Sequence, residues 1–299
     1  MLFVASFPAS SFAKTIEEEP STIQAAENLA DSVANASGDV DIVDEYDDVK
    51  DAYLVGDETI SYELPKDGDE VIRTTIDGDV VMSMSLPKEL SLDEATITGD
   101  GSVIYNNSED ASICTQIIEQ DVQGEKVYFN RTSAIIEDAN ASHKYTFEFT
   151  LPEGYSICTA KEYNERQAEY YREHKNDLFE VGLSEEEYDY LLSQLAESDE
   201  ELYIVDSEDN VVEVIEEAWA KDANGNDVAT RYELEGNCVT QVVEFNENSV
   251  FPIVADPSVG ATKSFSVKVS NSTMGLPSLA GTPLTAAAKK VLKEKTKHD

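Results

Sequence analysis

From about Val71 onward, apolar and polar residues alternate at period two, the mark of half-buried β-strands. Val80, Met82, Met84 and Leu86 share one side of such a run, just after the turn Asp77-Gly78-Asp79. Tyr145, Phe147 and Phe149 repeat the pattern before Pro152-Glu153-Gly154. The same texture predicts strands over 102–106, 113–119, 125–130, 133–137, 203–206, 210–216, 228–234, 238–245, 250–254 and 264–269. Gly99-Asp100-Gly101, Gln123-Gly124, Asp209-Asn210, Asn224-Gly225 and Gly236-Asn237 separate them as turns. Many short strands joined by Gly/Asn turns predict a mainly β chain, built as an antiparallel β-sandwich.

The period changes once inside this body. Residues 159–177 are polar with Tyr163, Tyr170 and Tyr171, and Gly182 then interrupts the run. Ser184 followed by Glu187 has capping-box form. Tyr188, Leu191, Leu192 and Leu195 recur at helical spacing behind it. The expectation is a helical-hairpin insertion over 159–200, either packed on the β-body or serving as a partner-binding lobe.

Both ends depart from strand texture. Residues 1–13 (MLFVASFPASSFA) carry no charge and end Ser-Phe-Ala, with small residues where a signal peptidase requires them. The basic n-region is missing. An upstream start codon explains this and predicts cleavage between Ala13 and Lys14; a remnant unable to direct export is the alternative. Seven acids crowd Gly38–Asp51 against Lys50 alone, a composition that buries little apolar surface and predicts mostly disorder over 14–70. A short helix near Ile23–Val33 is the local exception. Residues 260–299 reverse the sign, with seven Lys against Glu294 and Asp299. Thr282-Pro283 begins an amphipathic helix over 283–297, with Leu284, Ala287, Ala288, Val291 and Leu292 at helical spacing. Lys289, Lys290, Lys293 and Lys297 fit it for contact with an anionic membrane or envelope, or with the chain's own acidic body. The chain thus divides into a signal-peptide remnant (1–13), an acidic segment (14–70), a β-sandwich with its insertion (71–258) and a basic tail (259–299).

Charge narrows the function classes. The 299 residues hold 62 acids and 21 bases, a formal charge of −41, which argues against nucleic-acid binding because phosphate contacts need clustered Lys and Arg. No apolar run approaches the ~20 residues of a spanning helix. Three cysteines, Cys114, Cys158 and Cys238, allow one disulfide in an oxidising compartment or three buried thiols. The histidines His143, His174 and His298 enter no zinc or triad motif, no phosphate or dinucleotide loop is present, and no cofactor is implied. Among 62 carboxylates no spacing selects an acid–base pair. The one metal-like string is Asp222, Asn224, Asn226 and Asp227, whose spacing overlaps half of a calcium loop. Its glycine is misplaced and position twelve lacks a glutamate, so an Asn-Gly hairpin turn explains the same residues.

One segment carries a family likeness. Trp219-Ala220 is followed by Asp222, Ala223, Gly225, Val228, Thr230 and Tyr232, then Gly236-Asn237, and the string closes with Phe251-Pro252-Ile253-Val254-Ala255-Asp256-Pro257. Upstream, His143-Lys144-Tyr145-Thr146-Phe147 leads into Leu151-Pro152-Glu153-Gly154. This pattern resembles a module in largely uncharacterised secreted proteins of Gram-positive bacteria, mainly actinobacteria and Firmicutes, over roughly residues 75–258. The resemblance implies export and β-structure rather than a reaction. Prolines 252 and 257 are expected to end sheet pairing at an edge. Together these features predict a secreted, extracellular or envelope-associated protein, non-enzymatic, that binds an unknown protein, glycan or envelope component. Two alternatives are a proprotein carrying a cationic C-terminal peptide and a carbohydrate-active hydrolase with an unrecognised carboxylate site.

Overall fold

The computed structural model describes residues 20–261, apart from 39, 57–58, 107–110, 123–124, 181 and 197–199. The chain starts with helix α1 (Pro20–Ser37) and strands β1 (Asp47–Asp48), β2 (Ala52–Gly56), β3 (Ile60–Pro65), β4 (Val71–Ile76) and β5 (Asp79–Ser85). It continues through β6 (Thr96–Ile97), β7 (Val103–Tyr105), the long pair β8 (Ala111–Val122) and β9 (Glu125–Ile136), then β10 (Lys144–Thr150) and β11 (Ser156–Thr159). Helices α2 (Ala160–Glu173), α3 (Lys175–Glu180) and α4 (Glu185–Ala196) follow. The last strands are β12 (Leu202–Val205), β13 (Val211–Ile215), β14 (Trp219–Lys221), β15 (Thr230–Glu235), β16 (Cys238–Val243), β17 (Ile253–Asp256) and β18 (Ser258–Ala261).

These strands form two antiparallel sheets. One has eight strands in the order β1-β2-β3-β4-β5-β10-β16-β15. The other has ten: β11-β12-β13-β18-β9-β8-β7-β6, with β17 pairing β9 and β14 pairing β17. Alternation sets which side chains face inward. From the first sheet, Tyr62, Leu64, Met84, Tyr145, Phe147 and Phe149 enter the main apolar cluster; from the second, Ile113, Ile117, Ala134, Ile136, Ile204, Ile215 and Ile253 join it. Each such large side chain contributes ~1.5–3 kcal/mol on burial, so the aromatic triplet of β10 is a major anchor. The turn between β4 and β5 reverses in two residues with Asp77 at φ 52° and Gly78 at φ 88°, the left-handed pair that a tight hairpin requires.

Three expectations need correction. The segment 14–70 is not mostly disordered where it is described. Ala26, Ala30, Val33 and Ala36 recur along one face of α1 and pack on Ile104, Cys114, Ile135 and Val254 of the ten-stranded sheet. Tyr53, Val55, Ile60, Tyr62 and Leu64 alternate into the main core. The acids that dominate this composition sit between those positions, so averaging over the segment hid two working periodicities. The β-body therefore begins well before Val71.

The insertion also differs, with three helices rather than a two-helix hairpin. Capping boxes start two of them: Thr159 with Glu162 before α2, and Ser184 with Glu187 before α4. Ala160 and Tyr163 seat α2 on Tyr203, Val205, Val211 and Val214 of the ten-stranded sheet. Ala168 and Tyr171 join Leu178, Tyr188, Leu191 and Leu195 in a small separate core. Finally, Pro257 does not end sheet pairing. It lies between β17 and β18, both paired to β9, and its carbonyl accepts the Thr132 amide at 3.2 Å. A proline is tolerated there because the ladder asks it for an acceptor and not a donor. The signal-like residues 1–13, the Ala13–Lys14 bond, strand 264–269, helix 283–297 and Lys289, Lys290, Lys293 and Lys297 all lie outside the described residues.

Candidate functional site

The calcium-like string folds as a self-closing turn. Asp222 Oδ1 accepts the amides of Asn224 and Asn226, each at 2.9 Å, and Asn226 Nδ2 donates to both carboxylate oxygens at 3.2 and 3.1 Å. These bonds, led by the Asn226 side chain, hold the Asp222 carboxyl below its ordinary range. Gly225 takes φ 77° and donates its amide to the Asp222 carbonyl at 2.8 Å. Asp227 sits in a backbone bridge with Lys221. Asp222 thus answers the turn's own amides, and the turn needs no ion to close. No group of three or more His, Cys, Asp or Glu suited to a metal occurs among the described residues.

The residues of the string from Trp219 to Asp256 converge elsewhere. Trp219 stands opposite Asp256, and Ala220 opposite Ala255, in the β14–β17 ladder. The Tyr232 hydroxyl donates to the Asp256 carbonyl at 3.2 Å. Gln241 Nε2 donates to the Trp219 carbonyl at 3.1 Å and to Thr230 Oγ1 at 3.2 Å. These bonds bring the edge hairpin β15–β16 of one sheet onto β14 and β17 of the other. Beneath them the Asp256 carboxylate is buried, with Ser258 Oγ donating to Oδ2 at 2.7 Å and Arg131 Nε 3.5 Å away. Burial raises the Asp256 pKa, and the Arg131 guanidinium pulls it back. The half-buried Glu216 is raised by burial and then by the Asp256 charge; its amide donates to the Ser258 carbonyl at 2.9 Å. Arg131 and Gln241 were missed as site residues. Gln241 lies inside the family-like segment, but Arg131 is far upstream on β9, and only strand pairing places it here.

The histidines have structural partners. His143 stacks on Phe245 with ring centroids 4.0 Å apart, and its Nδ1 lies 3.0 Å from the Val243 carbonyl. His174 caps α2 and faces Asp177 at 3.3 Å. His298 lies outside the described residues. All three cysteines are free thiols, Cys114 and Cys158 buried and Cys238 half-buried. Glu213, a buried carboxyl on the core side of β13 near Tyr62 of the opposite sheet, is raised to about 8 by desolvation.

Open surface is found at a mixed-charge cleft of about 660 Å³, within the usual size of a ligand site. Lys50, Lys66 and Arg73 line it together with Asp51, Glu63, Asp67, Glu70 and Glu94. Arg73 Nη1 pairs with Glu63 Oε1 at 2.7 Å. Lys66 is bonded to Asp48, and its ammonium rests 4.9 Å from the centre of the Tyr53 ring. The cleft offers both signs of charge, Glu63 and Arg73 on strands and the others on the connecting loops, which suits a hydrated ligand bearing both amine and carboxylate groups. Comparison of the chain with known protein families, curated proteins and solved structures finds no match.

Proposed function

We propose that the chain is an exported, non-enzymatic binding or structural protein of the Gram-positive cell envelope, its two sheets stacked as a β-sandwich. The observation that carries this reading is where the family-like residues go. Trp219, Thr230, Tyr232 and Asp256 are hydrogen-bonded into the junction between the sheets, so the recognisable sequence serves as scaffold. Recognition then belongs to open surface, and the mixed-charge cleft is the best-formed example. Peptidoglycan stem peptides carry amines and carboxylates together and match that lining in chemical class.

The test is co-sedimentation of the full chain with purified sacculi stripped of teichoic acid. Retention weakened at least tenfold by Arg73→Glu supports the reading, with circular dichroism confirming that the variant folds. Retention that Arg73→Glu and Glu70→Lys both leave untouched removes the cleft from it. Turnover of a defined glycan, lost on a single carboxylate substitution, overturns it in favour of a hydrolase.

A further inference from the structure

The outer face of the ten-stranded sheet carries a contiguous polar patch between the areas covered by α1 and α2. Arg131 lies directly opposite Gln116 on β8 and Ser258 on β18. Ser133 and Asp256 continue the patch on neighbouring positions of β9 and β17. Every one of these residues is buried, with the Arg131 side chain 10% exposed and that of Asp256 fully enclosed. Gln116 uses Nε2 to donate to Ser102 Oγ at 2.8 Å, and Asp256 uses Oδ2 to accept from Ser258. Five further atoms have no protein partner within good hydrogen-bond geometry: Gln116 Oε1, Arg131 Nε and Nη1, Ser133 Oγ and Asp256 Oδ1, although the Ser133 hydroxyl and the Trp219 indole lie near enough to the Asp256 carboxylate to favour its ionised form. At 3.5 Å the Arg131–Asp256 contact is an ion pair too long to count as a good hydrogen bond.

We propose that this patch is a built internal-water site, in which bound water bridges the Arg131 guanidinium to Asp256 Oδ1 and Gln116 Oε1. The argument is complementarity. The guanidinium offers donors, whereas the carboxylate and amide oxygens offer acceptors, so the missing partner must both accept and donate. An anion would meet the Asp256 carboxylate and the Gln116 carbonyl, and a cation would meet Arg131. The formal charges of Arg131 and Asp256 compensate each other, and burial shifts the nearby Glu216 toward its neutral form, which leaves a neutral molecule as the matching ligand. Water is the smallest such molecule and serves buried sites that offer two to four polar partners. Leaving these atoms bare would cost each its full desolvation penalty, largest for the charged ones. The site lies beneath the sheet junction, away from the cleft, so it stands or falls independently of the envelope-binding reading.

A crystal structure of the full chain, with a second crystal soaked in sodium bromide, tests this. The expected result is ordered water within ~3.2 Å of Arg131 Nε or Nη1 and also of Asp256 Oδ1 or Gln116 Oε1, with no bromide peak in the patch. Nuclear Overhauser transfer from water to the amides of residues 131–133 gives the same answer in solution. A guanidinium turned to bond Asp256 directly, with no water in the patch, overturns the proposal. An anomalous bromide peak beside Arg131 overturns it too, in favour of an anion site. In Arg131→Met the bridging water is expected to be lost. If it persists unchanged with Arg131 removed, Arg131 does not hold it and the proposal fails.

Discussion

Tyr232 reaches from the edge strand of the eight-stranded sheet to the main-chain oxygen of Asp256 in the ten-stranded sheet, with its hydroxyl donating at 3.2 Å. One side chain therefore joins the last hairpin of one sheet to a central strand of the other. The ring packs against the main core, so the residue combines an apolar contact with a polar tip. Tyr232→Phe keeps the ring and removes the donor, and is expected to lower unfolding free energy by ~1 kcal/mol. Tyr232→Ala also removes the packing and is expected to cost ~3 kcal/mol or more. Urea denaturation of the two variants separates these contributions; equal losses would mean that the hydroxyl contributes nothing.

The buried ion pair beneath this junction makes an asymmetric prediction. Asp256→Ala strands the Arg131 guanidinium in a buried site, and breaking such a pair typically costs ~3–5 kcal/mol. Replacing both partners, as in Arg131→Met with Asp256→Leu, removes the uncompensated charge and is expected to recover most of that loss. The measurement is a double-mutant cycle by urea denaturation. A double variant as unstable as Asp256→Ala alone would show that the loss comes from packing and backbone, not from the stranded charge.

Glu213 gives the pH prediction. Its carboxyl is raised from 4.5 to about 8 in the folded chain because burial disfavours the ionised form. Folding therefore favours the protonated acid, and the stability it supplies is complete below about pH 4.5. As the pH rises the unfolded chain gives up this proton first, and the contribution is lost progressively up to about pH 8. Glu213→Gln keeps the shape without the ionisable group. The variant is expected to be more stable than the parent at pH 8 by several kcal/mol and to show a flatter profile between pH 5 and pH 8. Some slope persists, because Asp256 and Glu216 are also raised by burial. Unfolding midpoints at three pH values decide it, and parallel profiles for the two proteins would count against a protonated Glu213.

Strand positions were legible wherever alternation was strong. Tyr145, Phe147 and Phe149 mark β10, and Tyr188, Leu191 and Leu195 mark the buried face of α4. Candidate strands 125–130 and 133–137 proved to be one strand, β9. Arg131 and Thr132 fall in the gap between them as a polar break, yet both are buried beside β8 and the closing strands. The short helix expected near Ile23–Val33 is found within the longer α1, whose alanine-rich stripe gains its apolar partner only from a sheet face. The closing string from Trp219 to Asp256 stood out as a pattern, but its purpose did not. Trp219 opposite Asp256, and Arg131 beside them, are long-range pairings that local periodicity does not encode. The mixed-charge cleft was invisible for the same reason, since its charges come from several separate loops and strands.

The turn at Asp222 closes without a cation, and this can be checked directly. Its carboxylate already accepts from two backbone amides and the Asn226 side chain, so binding calcium would require breaking those bonds before gaining new ones. Melting temperatures in millimolar calcium and in chelator are therefore expected to agree. Asp222→Ala removes the acceptor from the turn, as the loss of a helix cap does, and is expected to lower the melting temperature measurably. That loss should be the same with and without calcium. It should also diminish as the pH falls through the lowered pKa of Asp222, because protonation weakens the acceptor in the parent protein as well. A melting temperature that rises with calcium in the parent and not in Asp222→Ala would instead identify the turn as a metal site.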